Sequence, residues 1–310
     1  MTIAPSGQQF GITDGVHRAT VVEVGGGIRE YEHDGRPVLD GYGPDEMCSG
    51  ARGAPLMPWP NRLEDGQYTF AGRTYQLPLS EPATHNAIHG LLRWRNYTER
   101  ERDAARVVVG TVLHPHSGYP FSLDVAIEYV VSAGTAAGHR PGLTVTTTAT
   151  NLGDTALPFA SGQHPYLAAG APLIDESTLR LDAERWIPTD ERGLPAGVEP
   201  VAGSPRDFRA PRPVGDARID HAFTGLARDA DGLAWVELTA PDGRTTRLWA
   251  DHSYSYLQLY TGDTQAPSRR RRSLAVEPMT GPPNALRSGE GLVVLEPGTS
   301  FTMSWGIQPG

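Results

Sequence analysis

The chain has 310 residues, a formal charge of −9 and a single cysteine, Cys48. The negative balance argues against a nucleic-acid or anionic-membrane partner, because both favour a basic surface. One cysteine excludes an intrachain disulfide and suits a reducing compartment. Gly 36 and Pro 27 together make about a fifth of the chain, above the usual share of roughly 12%, which points to many turns.

Period-two alternation dominates the chain from end to end. The predicted strands are 19–24, a hairpin over 67–77 turning at Ala71-Gly72, and 106–113. The segment 121–131 follows, with Phe121, Leu123, Val125, Ile127, Tyr129 and Val131 on one face. In 143–150 the residues Thr144, Thr146, Thr148 and Thr150 line one face, which fits a solvated or groove-lining sheet surface. Further strands are predicted over 234–240, 246–251, 256–260, 292–296 and 300–307. No helix longer than about two turns is predicted; "DEMCSGARG" (45–53) has room for one short helical turn. The Pro-rich stretch 204–216 reads as a surface loop and not a linker. The pattern predicts an all-β sandwich or barrel. "MTIAPSGQQF" lacks the layout of a leader, and no apolar run nears membrane-spanning length, so a cytoplasmic location is expected.

Four stretches carry candidate chemistry. In "PWPNRLEDGQY" (58–68), two prolines stiffen the chain around Trp59, beside Asn61 and Arg62. A flat apolar ring next to a fork of donors suits a sugar, and equally a rigid loop over a core tryptophan. In "HNAIHGLLRW" (85–94), His85 and His89 have the spacing of a helical metal pair, but no Glu follows His85. Neither this pair nor His114 and His116 brings the further ligands a zinc site needs, so no metal is expected. "SGQHPYLAAG" (161–170) holds His164 with no other ionisable side chain except Tyr166, which predicts a pKa near neutrality. In "LAVEPMTGPPNAL" (274–286), Glu277 ends an apolar run. Desolvation there raises a carboxyl pKa, as a general base working near pH 7 requires. The run Arg269 to Arg272 reads as a solvated loop.

Taken in order, "PWPNRLEDGQYTFAGRTYQL", "NAIHGLLR", "GQHPYL", "IDHAFTGL", "LQLYTGD" and "LAVEPMTGPPNAL" resemble the aldose 1-epimerases, or mutarotases, of the bacterial Pro-Trp-Pro-Asn-Arg type. The resemblance covers residues 15 to 308, nearly the whole chain. It implies one domain over 1–310, a large antiparallel β-sandwich of the galactose mutarotase type with an open groove on one sheet. It also implies interconversion of the α and β anomers of a free aldose without a metal or organic cofactor, by a monomer or homodimer. By the same resemblance, Glu277 takes the proton of the C1 hydroxyl and His164 protonates the ring oxygen. His89 polarises and orients, and Arg62, Asp220, Asn61 and Gln258 hold the sugar. Trp59 either packs behind the site or stacks on the ring. Two departures stand out: Asn284 where the family often has Asp, and Leu286 where it often has Phe. "HPY" also differs from the His-Ser-Tyr of galactose-preferring members. An anionic sugar, such as a hexose 6-phosphate or a sulfonated hexose, is a second expectation, with cations drawn from Arg93, Arg95 or the 269–272 run. A sugar-binding module without turnover is a third.

Overall fold

A computed structural model describes residues 3–134, 140–168 and 170–310. Among them the only helical pieces are the single turns Ile174–Glu176 and Ala285–Ser288. The rest is strand and connection. The predicted turn at 45–53 is present, but it is not helical.

Two antiparallel sheets form the body. The nine-stranded sheet runs, in spatial order, Thr98–Arg102, Arg106–Leu113, Leu123–Ser132, Gly142–Asn151, Ser300–Pro309, Thr245–Ala250, Ala234–Thr239, Thr178–Leu181 and Arg212–Pro213. The alternation seen in the sequence has its physical cause here. Leu123, Val125, Ile127 and Tyr129 point into the core, and so do Val145, Met303 and Trp305 from the neighbouring strands. The threonine face looks outward. Its hydroxyls pair across strands, Thr146 with Ser304 at 3.0 Å, Thr148 with Thr302 at 3.1 Å and Thr150 with Ser300 at 2.8 Å. Of the two predicted settings for that face, the solvated one is correct. The groove lies elsewhere.

The eight-stranded sheet supplies the other layer, in the order Glu199–Pro200, Ala183–Ile187, Asp220–Leu226, Tyr256–Tyr260, Leu274–Met279, Gly162–Gln163 and Pro55–Leu56, with Tyr166–Leu167 also paired to Leu274–Met279. Phe223, Leu257, Leu259, Leu274 and Val276 face the first sheet and join one buried cluster that runs from Phe10 to Ile307. The alternate residues therefore face away from the core, onto what becomes the floor of the groove. An N-terminal sheet of Gln9–Asp14, His17–Val22, Ile28–His33 and Arg36–Pro37 packs against the strand Leu123–Ser132.

The predicted hairpin forms as Gln67–Phe70 and Arg73–Gln76. Ala71 and Gly72 both take positive φ, 48° and 75°, the conformation a two-residue hairpin turn demands. The stretch 204–216 is a surface excursion, but it also contributes the short strand Arg212–Pro213 to the sheet edge. The expectation of a fully solvated 269–272 run is corrected. Arg271 bonds Asp175 at 2.7 Å and Asp263 at 2.9 Å, and Arg269 bonds Asp40 at 3.3 Å and Glu46 at 2.9 Å. Only Arg270 and Arg272 remain largely in solvent. The reason is that carboxylates brought in by the fold, Asp40 and Glu46 on Arg269 and Asp175 and Asp263 on Arg271, take up these two positions.

Candidate active site

Three neighbouring strands of the eight-stranded sheet set the floor. In the antiparallel register Gln258 stands opposite both Ala222 and Glu277, and Tyr260 stands opposite both Asp220 and Ala275. Side chains that pair across strands share a face, so Asp220, Gln258, Tyr260 and Glu277 all point away from the core. The motifs found in the sequence build the walls. Arg62–Glu64 pairs with Asn86–Ile88, the His89 amide donates to the Asn61 carbonyl at 3.0 Å, and the Leu91 amide donates to the Met57 carbonyl at 2.8 Å. The third motif is held on both sides of its histidine. The His164 amide donates to the Ala54 carbonyl at 3.1 Å, and the His164 carbonyl accepts from the Gly53 amide at 2.9 Å.

Between floor and walls lies a cavity of about 440 Å³, within the roughly 300–1,000 Å³ usual for small-molecule sites. Glu277, His164, His89, Arg62, Asp220 and Asn61 all line it. His164 Nε2 lies 3.3 Å from Glu277 Oε1. The His89 ring meets the His164 ring edge-on, with centroids 5.4 Å apart. His89 Nδ1 accepts from the Asn61 amide at 3.2 Å, which leaves its other nitrogen for the cavity. Arg62 is gripped by Glu81, with Nε donating to Oε2 at 2.8 Å and a second nitrogen to Oε1 at 3.2 Å, and it approaches Asp220 at 3.8 Å. Charge-assisted donors and acceptors thus alternate around one patch of the wall, an arrangement that matches vicinal hydroxyls.

One candidate residue differs from expectation, and Trp59 takes the first of its two expected settings. Gln258 does not line the cavity: it is buried, its Nε2 donates to Asp220 Oδ1 at 2.7 Å, and it acts on the site through that carboxylate. Trp59 is 2% exposed and belongs to the core cluster, so it packs behind the site and has no ring face for a ligand. The His85/His89 spacing has no metal meaning. Both residues take left-handed φ, 58° and 62°, and His85 Nδ1 lies 3.0 Å from Asp65 instead. No cluster of three or more metal-type ligands occurs among the described residues.

The electrostatics also correct one expectation. His164 has no charged neighbour in sequence, but it has several in space. Burial, with Arg93 and Arg52 nearby, pulls its pKa down to about 3. Burial, with Asp220 adding to it, pushes Glu277 well above the ordinary carboxyl value. His89 is likewise held neutral by burial and by His164. Burial thus disfavours the charged form of both partners in the His164–Glu277 contact. Asp220 is raised by burial, an effect opposed by Arg62 and by the hydrogen bond from Gln258.

Sequence reasoning overlooked Arg52, Glu81, Tyr166 and Gln265 as members of the site. Tyr166 was visible inside "GQHPYL"; Glu81 has no local signal, because only the fold brings it to Arg62. Arg93 and Arg269 line the cavity, whereas Arg95 and Arg270 to Arg272 do not. Four arginines therefore face three carboxylates inside a protein of net charge −9. Asn284, one of the two departures, takes no part in the cavity. It receives the Glu64 amide on its side chain at 3.1 Å, and its own amide donates to the Arg62 carbonyl at 2.7 Å, which ties down the strand that carries Arg62.

The sequence matches the aldose 1-epimerase family model over residues 8–308. It is 34% identical over 303 residues to the uncharacterized protein YihR of Escherichia coli K12, covering 97% of this chain and 93% of that one. The aldose 1-epimerase of Haemophilus influenzae is 26% identical over 238 residues, 71% of this chain and 66% of that one. A solved GalM/aldose epimerase homologue from C. elegans superposes with a TM-score of 0.85 at 17% identity, over 98% of each chain. A buried histidine–glutamate pair on the floor of a β-sandwich groove and a family match over nearly the whole length lead to one conclusion: the chain belongs to the aldose 1-epimerase family, a family of isomerases.

Proposed function

We propose that the protein interconverts the α and β anomers of a free aldose by opening and reclosing its ring. The observation that carries this reading is the contact of His164 Nε2 with Glu277 Oε1 at 3.3 Å, beside the Arg62–Glu81–Asp220 cluster. Glu277 accepts the C1 hydroxyl proton, and the freed O–H electron pair becomes the second bond of an aldehyde. The C1–O5 bond breaks, its electrons pass to O5, and His164 supplies the proton O5 takes up. After rotation about C1–C2, the O5 hydroxyl attacks the other face of the aldehyde. O5 then returns its proton to His164, and Glu277 returns its proton to the C1 oxygen. Two groups placed at the two ends of one breaking bond are the case in which positioned acid–base catalysis is most effective.

Burial disfavours the charged form of both groups, and a bound sugar offsets this at the base: a C1 hydroxyl donating to Glu277 stabilises the ionised carboxylate. Arg62 and Asp220 hold ring hydroxyls; His89 supports the C1–O5 region with its free nitrogen.

Polarimetry on freshly dissolved α-glucose, α-galactose and other aldoses tests the reading. Faster mutarotation of at least one sugar is expected, with a loss of about 10²- to 10⁴-fold in Glu277→Gln and His164→Ala. Equal rates for wild type and Glu277→Gln would refute the mechanism.

One observation favours a second reading, an aldose with an anionic group at C6. The Arg93 guanidinium lines the cavity and is part-buried, and it has no ion-pair or hydrogen-bond partner among the described residues. It acts on His164 and His89, which are the groups placed at the ring oxygen. C6 is attached next to that oxygen, so a phosphate or sulfonate there would meet Arg93. Under this reading Arg93→Gln raises KM for an anionic hexose and leaves KM for the neutral hexose unchanged.

A further inference from the structure

A histidine that moves protons is commonly fixed through the ring nitrogen that does not touch substrate. In His164 that nitrogen is idle: Nδ1 is buried and has no hydrogen-bond partner. The orientation of the ring must come from packing. Tyr166 supplies it. The phenol and imidazole rings are nearly parallel, 12° between planes, with centroids 4.9 Å apart. Pro165 between them limits the backbone freedom of the pair.

Tyr166 is itself held on every polar and aromatic feature it has. Its hydroxyl donates to the Gly50 carbonyl at 2.8 Å and accepts from Gln265 Nε2 at 2.8 Å. The Arg52 guanidinium lies over the ring, 4.4 Å from its centroid, and also donates to Gln265 Oε1 at 2.6 Å. Arg52 is anchored in turn on buried Asp40 at 3.3 Å. The segment that carries Arg52 is the same one that receives and donates the His164 backbone bonds through Gly53 and Ala54. That segment has little room to shift: a Cβ on Gly53 would lie 1.8 Å from the Ile28 carbonyl oxygen.

We infer that Tyr166, clamped by Arg52 and Gln265, is a positioning residue for His164: its stacked ring sets the imidazole plane so that Nε2 meets Glu277 and the reacting oxygen. The inference rests on the proposed ring-opening reaction for its effect on turnover, and on the stack alone for its effect on the ring. Misplacing a catalytic group by about 1 Å costs roughly 10²-fold in rate, which sets the scale.

Tyr166→Phe keeps the ring and loses the hydroxyl; Tyr166→Leu loses the ring. On a sugar the wild type turns over, Tyr166→Leu is expected to lower kcat about 30- to 100-fold with KM changed by less than about threefold, and Tyr166→Phe, which keeps the stacked ring but loses the hydroxyl clamp, to lower it about 3- to 10-fold. A residue serving only to hold the loop through its hydroxyl would behave in the opposite way, with Phe as damaging as Leu. Crystal structures of the two variants read the ring directly. The imidazole is expected to turn from Glu277 in Tyr166→Leu and to stay in Tyr166→Phe. Should Tyr166→Leu fail to fold, Gln265→Met loosens the clamp without emptying the site and is expected to lower kcat about 3- to 10-fold. Wild-type kcat in Tyr166→Leu or in Gln265→Met, or equal losses in Phe and Leu, overturns the inference. If the wild type turns over no sugar in the panel, the reaction reading fails by itself. The crystal structures still decide the positioning, because an imidazole unmoved in Tyr166→Leu overturns it.

Discussion

Replacing Glu81 by Gln tests how the sugar-binding wall is held. The carboxylate grips Arg62 through two hydrogen bonds, at 2.8 and 3.2 Å, and the two side chains are 27% and 20% exposed. A fully exposed pair of this kind contributes up to about 1 kcal/mol, and breaking a buried one costs about 3–5 kcal/mol. The partial exposure places this pair between them, at about 1–2 kcal/mol, a factor of about 5–30 in an equilibrium constant. The neutral amide keeps one hydrogen bond and leaves Arg62 with only its 3.8 Å approach to Asp220. Arg62 then samples other rotamers, and the loss falls on binding. KM is expected to rise about 5- to 30-fold with kcat within about threefold, because Glu81 has no contact with the His164–Glu277 pair. The assay is initial-rate polarimetry, or an anomer-specific dehydrogenase coupled to the product, over a range of sugar concentrations. The cycle with Arg62→Gln completes the test: once Arg62 is gone, Glu81→Gln should add little. An unchanged KM, a collapse of kcat at constant KM, or additive losses in the double variant would refute the reasoning.

Three further outcomes follow from the site and its surroundings. Because burial draws His164 down to about 3, an NMR titration of its ring should show no inflection at the ordinary imidazole value of about 6.5; a midpoint there would contradict it. His17 is buried and its pKa is lowered by burial and by His33, whose ring centroid lies 4.6 Å away. Below about pH 6.5 the unfolded chain gains a proton that the folded one resists, so stability falls as pH drops from that point. Thermal melts of His17→Gln between pH 7 and 5 should show a shallower decline than wild type. Asn284→Ala removes the acceptor for the Glu64 amide and leaves at φ 69° a residue without the polar side chain that lets Asn tolerate that region, losses that together amount to about 1–3 kcal/mol. A melting temperature lowered by several degrees is expected, and an unchanged one would remove Asn284 from the support of Arg62.

The long strands Leu123–Ser132 and Gly142–Asn151 were readable because one face of each is buried and the other is partly wet. Arg106–Leu113 and Tyr256–Tyr260 were also placed correctly, though they are mostly buried on both faces. Thr98–Arg102 escaped notice for the complementary reason: every residue in it is exposed, so it has no apolar face to read, and only its pairing with Arg106–Leu113 makes it a strand. The same contrast divides the site. Residues inside contiguous motifs, His164 and Glu277 among them, could be named from the chain. Glu81, Arg52 and Gln265 could not, since their meaning comes from partners far away in sequence. Glu81 is 19 residues from Arg62, and Gln265 is 213 from Arg52. The charge state of His164 failed for the same reason. Arg93 and Arg52 are brought to it by folding, and burial outweighs any local composition.

The edges of the two main sheets share a property. Three of the four end in two-residue strands that contain a proline, Arg212–Pro213, Glu199–Pro200 and Pro55–Leu56, and the fourth is the wholly exposed Thr98–Arg102. A proline has no amide hydrogen to offer a newcomer, and a fringe of Glu and Arg resists the desolvation that strand addition requires. A sheet this wide would otherwise invite a second chain to extend it into a growing fibril. The borders are closed to that route, so a crowded solution of this protein should resist edge-to-edge polymerisation even though nearly all of the regular secondary structure among its described residues is strand. Replacing Glu99 and Glu101 by valine would reopen the one long border, and it is there that seeded aggregation should begin.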